Sequence, residues 1–480
     1  MAISLQRIDP YRLRLEPEGQ RLIPATVYLP EGFVPETDAV RQLADVTTID
    51  ESAVALATPD IHVGYGVPIG SVFASERFVS PAAVGYDVNC GMRLLTTPLV
   101  AAAVDFVELA ASIRRDIPLG EGMSNISVSA RSLERLVAGG VPALAELVGE
   151  EAELARAFSA DDFADDCQRI EDGGAMRGEV GGATDRAIER GRSQLGTLGG
   201  GNHFIELQRV ERIDDAELAE AWGLFPGQLV VMLHSGSRGF GHEIGGHHMK
   251  AAQTYCSRHQ LPTPSRDLAY LPLDSDEGKA YLAAMRAAAN FAFLNRQLMA
   301  NLVRRNLRHT YGPELAVPTL YDVPHNIAKF ERVGRRELCV HRKGATRAYP
   351  GALMQGTPYA TTGQPVLIPG SMGTASYVLA GVDSGAESLY SVNHGAGRLM
   401  SRTAAAGVVK RGKVVRPGQI TDAQFKESMK GVHLICADRA HIKEEAPAAY
   451  KDIDAVIETV VGAGLARSVA RLIPLAVLKG

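Results

Sequence analysis

The chain has 480 residues, with 50 Lys and Arg against 55 Asp and Glu, so its formal charge of −5 gives no global attraction to nucleic acid; any polyanion must be met by a local basic patch. Hydrophobic residues at 46% and charged residues at 22% exclude a disordered or fibrous chain and allow one large domain or two or three smaller ones. Five scattered cysteines with no C-x-x-C pair argue against a disulfide framework, and no run of about 18 apolar residues is present to span a membrane, so a reducing, cytoplasmic setting is expected.

Residues 1–10 contain no apolar stretch and no small-residue cleavage site, so no secretory leader is expected. Short β-like runs follow, Ala25-Thr-Val-Tyr-Leu29 and Ser71-Val-Phe-Ala74, the second after a Gly/Pro-rich loop over 64–70. Apolar spacing of about 3.6 predicts helices over 104–114 and 130–156. Residues 157–195 are acidic and glycine-containing, which predicts a loop or a mobile helical insert. Strand-like runs at 204–207 and 229–233 flank two polar motifs, and Ala-rich spacing with a basic end at Arg304, Arg305 and Arg308 predicts a long helix over 275–310. Apolar strands and glycine loops then alternate to Tyr377; the tail reads as helix from Pro447 and as a terminal strand over 473–480. There is no internal repeat or low-complexity linker, and the chemical motifs extend from residue 60 to the last residue but one. A site drawn from the whole chain implies one integrated α+β unit over 1–480, mixing helices and strands.

Asp87 and Cys90 stand three residues apart in Gly85-Tyr-Asp-Val-Asn-Cys-Gly-Met-Arg93, a spacing at which a carboxylate and a thiolate on a turn can face one ion and the thiolate can bridge two. Alone, this segment reads as a buried free cysteine. His203, His234 and His325 alter that reading, because each adjoins a strand-like run and has a polar neighbour, Asn202, Ser235 or Asn326. Three imidazoles, a carboxylate and a thiolate suit Mn, Zn, Co or Fe better than Mg or Ca, and two ions about 3.5–4 Å apart would fit in-line phosphoryl chemistry.

Glycine segments are plentiful but none is a P-loop. They pair instead with cations, as in His234-Ser-Gly-Ser-Arg-Gly-Phe-Gly-His242, His341-Arg-Lys-Gly-Ala-Thr-Arg347 and His394-Gly-Ala-Gly-Arg398. Exposed backbone N–H groups and guanidinium forks match phosphate oxygens. Arg93, Arg238, Arg342, Lys343, Arg347, Arg398 and Arg402 lie in or beside these motifs and imply a locally basic cleft for a phosphate-rich substrate, two or three of them being expected as solvated surface charges. Should His394 and Arg398 share a helical turn, they would lie on one face, the imidazole attacking phosphorus while Arg398 and a metal offset the developing charge. The residues alone leave His394 open between nucleophile, further metal ligand and general acid.

These motifs, from Pro59-Asp-Ile-His-Val-Gly-Tyr-Gly66 to Lys479-Gly480, resemble the RtcB family of GTP- and Mn-dependent RNA-splicing ligases over essentially the whole chain. The resemblance implies an RtcB-type catalytic unit with a deep metal-containing cleft. Asp87, Cys90, His203, His234 and His325 would bind two Mn ions, with Cys90 bridging, and His394 would be the histidine that accepts GMP. Asn202 and Arg398 would contact the phosphate; Glu206, Ser371, Tyr450 and Lys479, with the His394-Gly395-Ala396-Gly397 loop, would bind the guanosine nucleotide. Arg238, Arg342 and Lys343 would be RNA-end or pyrophosphate contacts. The implied reaction joins RNA 3′-phosphate or 2′,3′-cyclic phosphate ends to 5′-hydroxyl ends through a histidine–GMP adduct and a GMP-capped 3′ end, in tRNA splicing or RNA repair, with archease as a partner of some members. Two rivals use the same residues: a two-metal phosphoesterase or nuclease without a covalent nucleotide, and a non-catalytic RNA-binding protein. The second has no RRM-type aromatic signature to support it.

Overall fold

Two sheets, of seven and eight strands, frame the computed structural model, which describes residues 3–410, 413–439 and 441–480. The seven-stranded sheet runs in the order Leu5–Asp9, Arg12–Leu15, Ala25–Tyr28, Val54–His62, Ile69–Ser75, Arg336–Lys343, Asn326–Val333. The eight-stranded sheet runs Thr319–Pro324, Gly91–Val100, Gln228–Ser235, Phe204–Ile213, Ala466–Lys479, Ser376–Gly381, Pro365–Ile368, with His433–Cys436 pairing in parallel to the far end of Ala466–Lys479. Helices and loops from all parts of the chain cover these sheets, a mixed α/β architecture of the expected kind.

The longest helix, Asp276–Tyr311, matches its expected span within one residue. Ser275 caps it by accepting from the Gly278 N–H, Asp276 and Glu277 occupy the first turn, and Arg308 and His309 the last, all favourable to the helix dipole. Most of this helix is buried, yet it carries Asn290, Asn295, Arg296, Gln297 and Arg304 inward. Their partners explain them: each bonds backbone or carboxylate groups of neighbouring helices, strands and loops, as buried polar groups must. Arg296 bonds both oxygens of Asp322 and the main-chain oxygens of Asn89 and Ser235, and Arg93 also binds Asp322.

Three expectations need adjustment. The span 130–156 is three helices, Ala130–Gly139, Ala143–Leu147 and Ala152–Ala157, the first ended by Gly140 in the left-handed region. The acidic stretch 157–195 contains helices Ala160–Gln168 and Asp185–Gly191, and several of its acids turn inward. Asp166 is 1% exposed and chelates the Arg304 guanidinium at 2.6 and 2.7 Å, while Glu171 meets Lys329 and Arg347. The tail forms helix Ile453–Gly462, and the terminal strand begins earlier than expected, at Ala466. Among the described residues no helix is long and apolar enough to cross a membrane.

Candidate active site and metal centre

Strand register assembles the metal residues. On adjacent strands of the eight-stranded sheet, Pro324 pairs with Gly91, Gly91 with Ser235, His234 with Phe204, and Phe204 with Lys479. One end of the sheet therefore places His325, Cys90, His234, His203 and Lys479 in a row, though they are far apart in sequence. Asp87 joins the row through the turn that precedes Gly91–Val100. Asn89 bends this turn with φ +55°, and Arg296 holds its main-chain oxygen at 2.7 Å. Gly236 is required opposite: a Cβ there would lie 2.2 Å from Asp87 Oδ1.

The donor atoms converge in two groups sharing one sulfur, Asp87–Cys90–His203 and Cys90–His234–His325. Cys90 Sγ lies 3.3 Å from His203 Nε2 and 3.1 Å from His234 Nε2; His234 Nε2 is 3.3 Å from His325 Nε2, and His203 Nε2 is 2.8 Å from Asp87 Oδ2. His203 Nδ1 bonds the Leu198 carbonyl at 3.1 Å, which places its proton there and turns the Nε2 lone pair into the cluster. Burial pushes the Cys90 thiol well up, with Asp87 adding to it, and drives His234 and His325 well down. Burial opposes the Asp87 carboxylate too, but His203 and then Arg238 hold it well below the usual range. Crowded imidazole nitrogens around a buried sulfur and a carboxylate make a donor set that could hold divalent ions.

The seven-stranded sheet supplies the opposite wall, through the ends of Val54–His62 and Arg336–Lys343. His394 follows the short strand Ser391–Asn393, which pairs with Ala345–Arg347. Its ring centroid is 4.9 Å from that of His325, beside the metal donors. Nδ1 of His394 bonds Asp60 Oδ2 at 2.7 Å, and its backbone N–H donates to the same oxygen at 3.2 Å. Asp60 is fully buried; burial would raise its carboxyl, but His394 and the Thr58 hydroxyl (2.6 Å) hold it below the usual range. A Cβ on Gly397, whose φ is +76°, would lie 2.4 Å from the Asp60 carbonyl, so only glycine lets this loop approach the strand. Residues 394–398 form no helical turn, and Arg398 is positioned differently from the conditional i, i+4 reading. It bridges to Tyr450, donates to Glu445 and the Glu444 carbonyl, and lies 5.0 Å over the Tyr450 ring.

Asp87, Cys90, Asn202, Glu206, His234, His325, Lys343, Ser371, His394, Gly395, Ala396, Gly397, Arg398, Tyr450 and Lys479 line one cleft of about 410 Å3. Around Lys479, burial pushes Glu206 up to about 8 against the opposing effects of Gln208 and Lys479. Lys479 lies 3.6 Å from Glu445, which burial would raise but which Lys479, Arg402, Tyr450 and Arg398 hold down at about 2. This end offers an acid and an ammonium side by side, a donor–acceptor pair suited to the edge of a base.

Not every cation reaches the cleft. Arg342 is fully buried and forks onto Glu331 (2.9 Å for one arm), with Ser391 and the Leu389 carbonyl completing its bonds, so it has no free face for RNA. Arg93 is committed to Asp322 and Arg347 to Glu171 and Asp172. Two or three of the seven cations are expected from the sequence to be solvated; Arg402 is exposed, whereas these three neutralise buried acids. Lys343 lines the cleft, but its ammonium donates to the carbonyls of Tyr65, Val67 and Ala82, and burial lowers it to about 7. Arg238 packs at Thr197 and faces Asp87 electrostatically. Sequence reading missed Asp60, visible only as the acid in Pro59-Asp-Ile-His, and Glu445, which ends the run Lys443-Glu-Glu and gathers three cations.

The sequence profile of the family described as tRNA-splicing ligase RtcB matches residues 40–480. The tRNA-splicing ligase RtcB of Aeropyrum pernix is 37% identical and covers 100% of both chains; that of Archaeoglobus fulgidus is 40% identical over 99% of each. The RNA-splicing ligase RtcB of Mycobacterium tuberculosis is 41% identical over 88% of this chain and 96% of its own.

Proposed function

The chain belongs to the RtcB family and is an RNA-splicing ligase on that basis, and we propose that it joins RNA 3′-phosphate or 2′,3′-cyclic phosphate ends to 5′-hydroxyl ends using GTP. The observation that carries this reading is the pair His394–Asp60 beside the metal donors. With its Nδ1 proton donated to Asp60, His394 keeps the Nε2 lone pair for attack on phosphorus.

In the first step Nε2 of His394 attacks the α-phosphorus of GTP, the bond to the β-phosphate oxygen breaks, and pyrophosphate leaves. The ring then carries positive charge, and the Asp60 carboxylate compensates it without leaving its hydrogen bond. A 2′,3′-cyclic end first adds water, its P–O2′ bond breaking as the 2′-oxygen takes a proton, to give a 3′-phosphate; an oxygen of the RNA 3′-phosphate then attacks the phosphorus of the adduct, the P–N bond breaks, and GMP caps the RNA end. Finally the 5′-hydroxyl oxygen attacks the RNA 3′-phosphorus, losing its proton, and GMP departs as the phosphodiester forms. Asn202 and Arg398 hold the phosphate; Glu206, Ser371, Tyr450 and Lys479 hold the guanosine against the Gly395-Ala396-Gly397 loop. Arg238 and Lys343 remain candidates for the RNA end, whereas Arg342 does not.

Two divalent ions, taken as Mn from the family resemblance, would be held by the two groups that share Cys90, and when bound they would supply charge neutralisation at the phosphate. An archease-type activator belongs to the same proposal. The test is ligation: purified protein with GTP and Mn joins a 3′-phosphate RNA to a 5′-hydroxyl RNA, and does not when chelator replaces Mn or ATP replaces GTP. Release of phosphate or cleavage of RNA in place of joining would turn the reading to a phosphoesterase.

A further inference from the structure

An aromatic shelf and a basic groove lie end to end beyond the cleft. Tyr65 and Tyr86 line the cleft mouth with ring centroids 5.5 Å apart, and the exposed ring of His242 stacks on Tyr86 at 5.0 Å and 22°. Tyr86 directly precedes Asp87, so the shelf adjoins the metal donors. From Tyr65 the surface continues through Gln253, whose amide donates to the Tyr65 hydroxyl at 3.2 Å. Gln253 also lines a second groove, of about 970 Å3, between helix Arg238–Arg258 and residues 260–269.

The charged side chains of this groove are Lys250, Arg258 and Arg266, and no acid lines it. Arg258 is paired with Glu277 at 2.5 Å. Lys250 and Arg266 are exposed and have no ion-pair partner among the described residues. In a chain of net charge −5, a groove whose charged lining is all cationic, joined to the candidate active site through the Gln253–Tyr65 bond, is a local basic patch beside the cleft.

We propose that shelf and groove carry the RNA strand entering the cleft: an unpaired base stacks at the Tyr86–His242 rings, and the phosphates beyond it run along the groove against Lys250 and Arg266. The inference rests on the ligase reading and names where its substrate lies. Rings accept any base by its π face, and unpaired cations exchange their counterions for phosphates, the two devices by which single strands are held without sequence preference. An acidic peptide would satisfy the cations but leave the stacked rings at the cleft mouth without a role.

The experiment uses the full chain with Mn and single-stranded RNAs of about three and about twelve nucleotides. Each carries 2-aminopurine next to its reacting end. The double variant Lys250→Glu/Arg266→Glu is expected to bind the longer RNA about tenfold more weakly and to flatten its log–log salt slope by about one to two, with the short RNA unaffected. Fluorescence quenching on binding is expected to persist in Tyr86→Phe and to be lost in Tyr86→Leu. Melting temperatures of all variants check that the fold is retained. Unchanged affinity and salt slope in the charge reversals, or equal quenching in Tyr86→Leu, overturns the proposal while leaving ligation intact. Failure of the unaltered protein to retain either RNA overturns it together with the ligase reading.

Discussion

Asp60 and His394, 334 residues apart in sequence, meet at 2.7 Å between Oδ2 and Nδ1, and the same oxygen accepts the His394 backbone N–H. This relationship fixes both the tautomer and the orientation of the ring, which a histidine in a glycine loop would otherwise not hold. Asp60→Asn keeps the shape but offers no charge to a ring that becomes cationic. A fall in guanylylation rate of about 100-fold or more is expected, with Mn content unchanged. Single-turnover labelling beside metal analysis checks it; a rate within about threefold of the unaltered protein would remove Asp60 from the mechanism.

Cys90 belongs to both donor groups, whereas His203 and His325 belong to one each. Cys90→Ser should therefore lower Mn occupancy at both positions, and His203→Ala chiefly at one. Metal analysis after Mn reconstitution reads the stoichiometry. Equal metal content in Cys90→Ser and the unaltered protein would contradict a bridging thiolate.

Glu206 gives a pH signature. Burial raises its carboxyl from 4.5 to about 8, so between these values the folded protein keeps a proton that the unfolded chain has lost. Through this group, stability of the nucleotide-free protein is present below the unfolded value and declines as pH rises toward about 8. Glu206→Gln removes that part of the slope. If the guanine N–H groups bind the carboxylate, nucleotide binding near pH 7 expels about one proton, and calorimetry in buffers of different ionisation enthalpy detects it. Equal proton release by Glu206→Gln would refute this assignment.

Arg342→Ala leaves the buried Glu331 carboxylate without its partner. A loss of stability of about 3–5 kcal/mol is expected, with RNA affinity of the folded protein unaltered. Denaturant unfolding and RNA retention separate the two effects. Unchanged stability with weakened RNA binding would return Arg342 to the substrate.

The convergence of Cys90, His203, His234 and His325 was legible because each stands where an apolar strand meets glycine and polar residues, a position that strand register turns into a shared row, with Asp87 brought in by the adjoining turn. The long helix was legible from its Ser275 cap and its basic end. Arg93, Arg342 and Arg347 were misassigned because a cation beside a glycine motif looks the same whether it faces a cleft or a buried acid. Glu331, which decides Arg342, sits eleven residues away on the neighbouring strand. Asp60 was passed over because its partner lies in the last quarter of the chain, and no local spacing connects them.

The central claim is that His394 becomes covalently guanylylated, and labelling with α-phosphate-labelled GTP and Mn tests it most directly. The unaltered protein should carry acid-labile label after denaturation, and His394→Ala should carry none while retaining its Mn. No label on the unaltered protein, or label persisting in His394→Ala, would contradict the account.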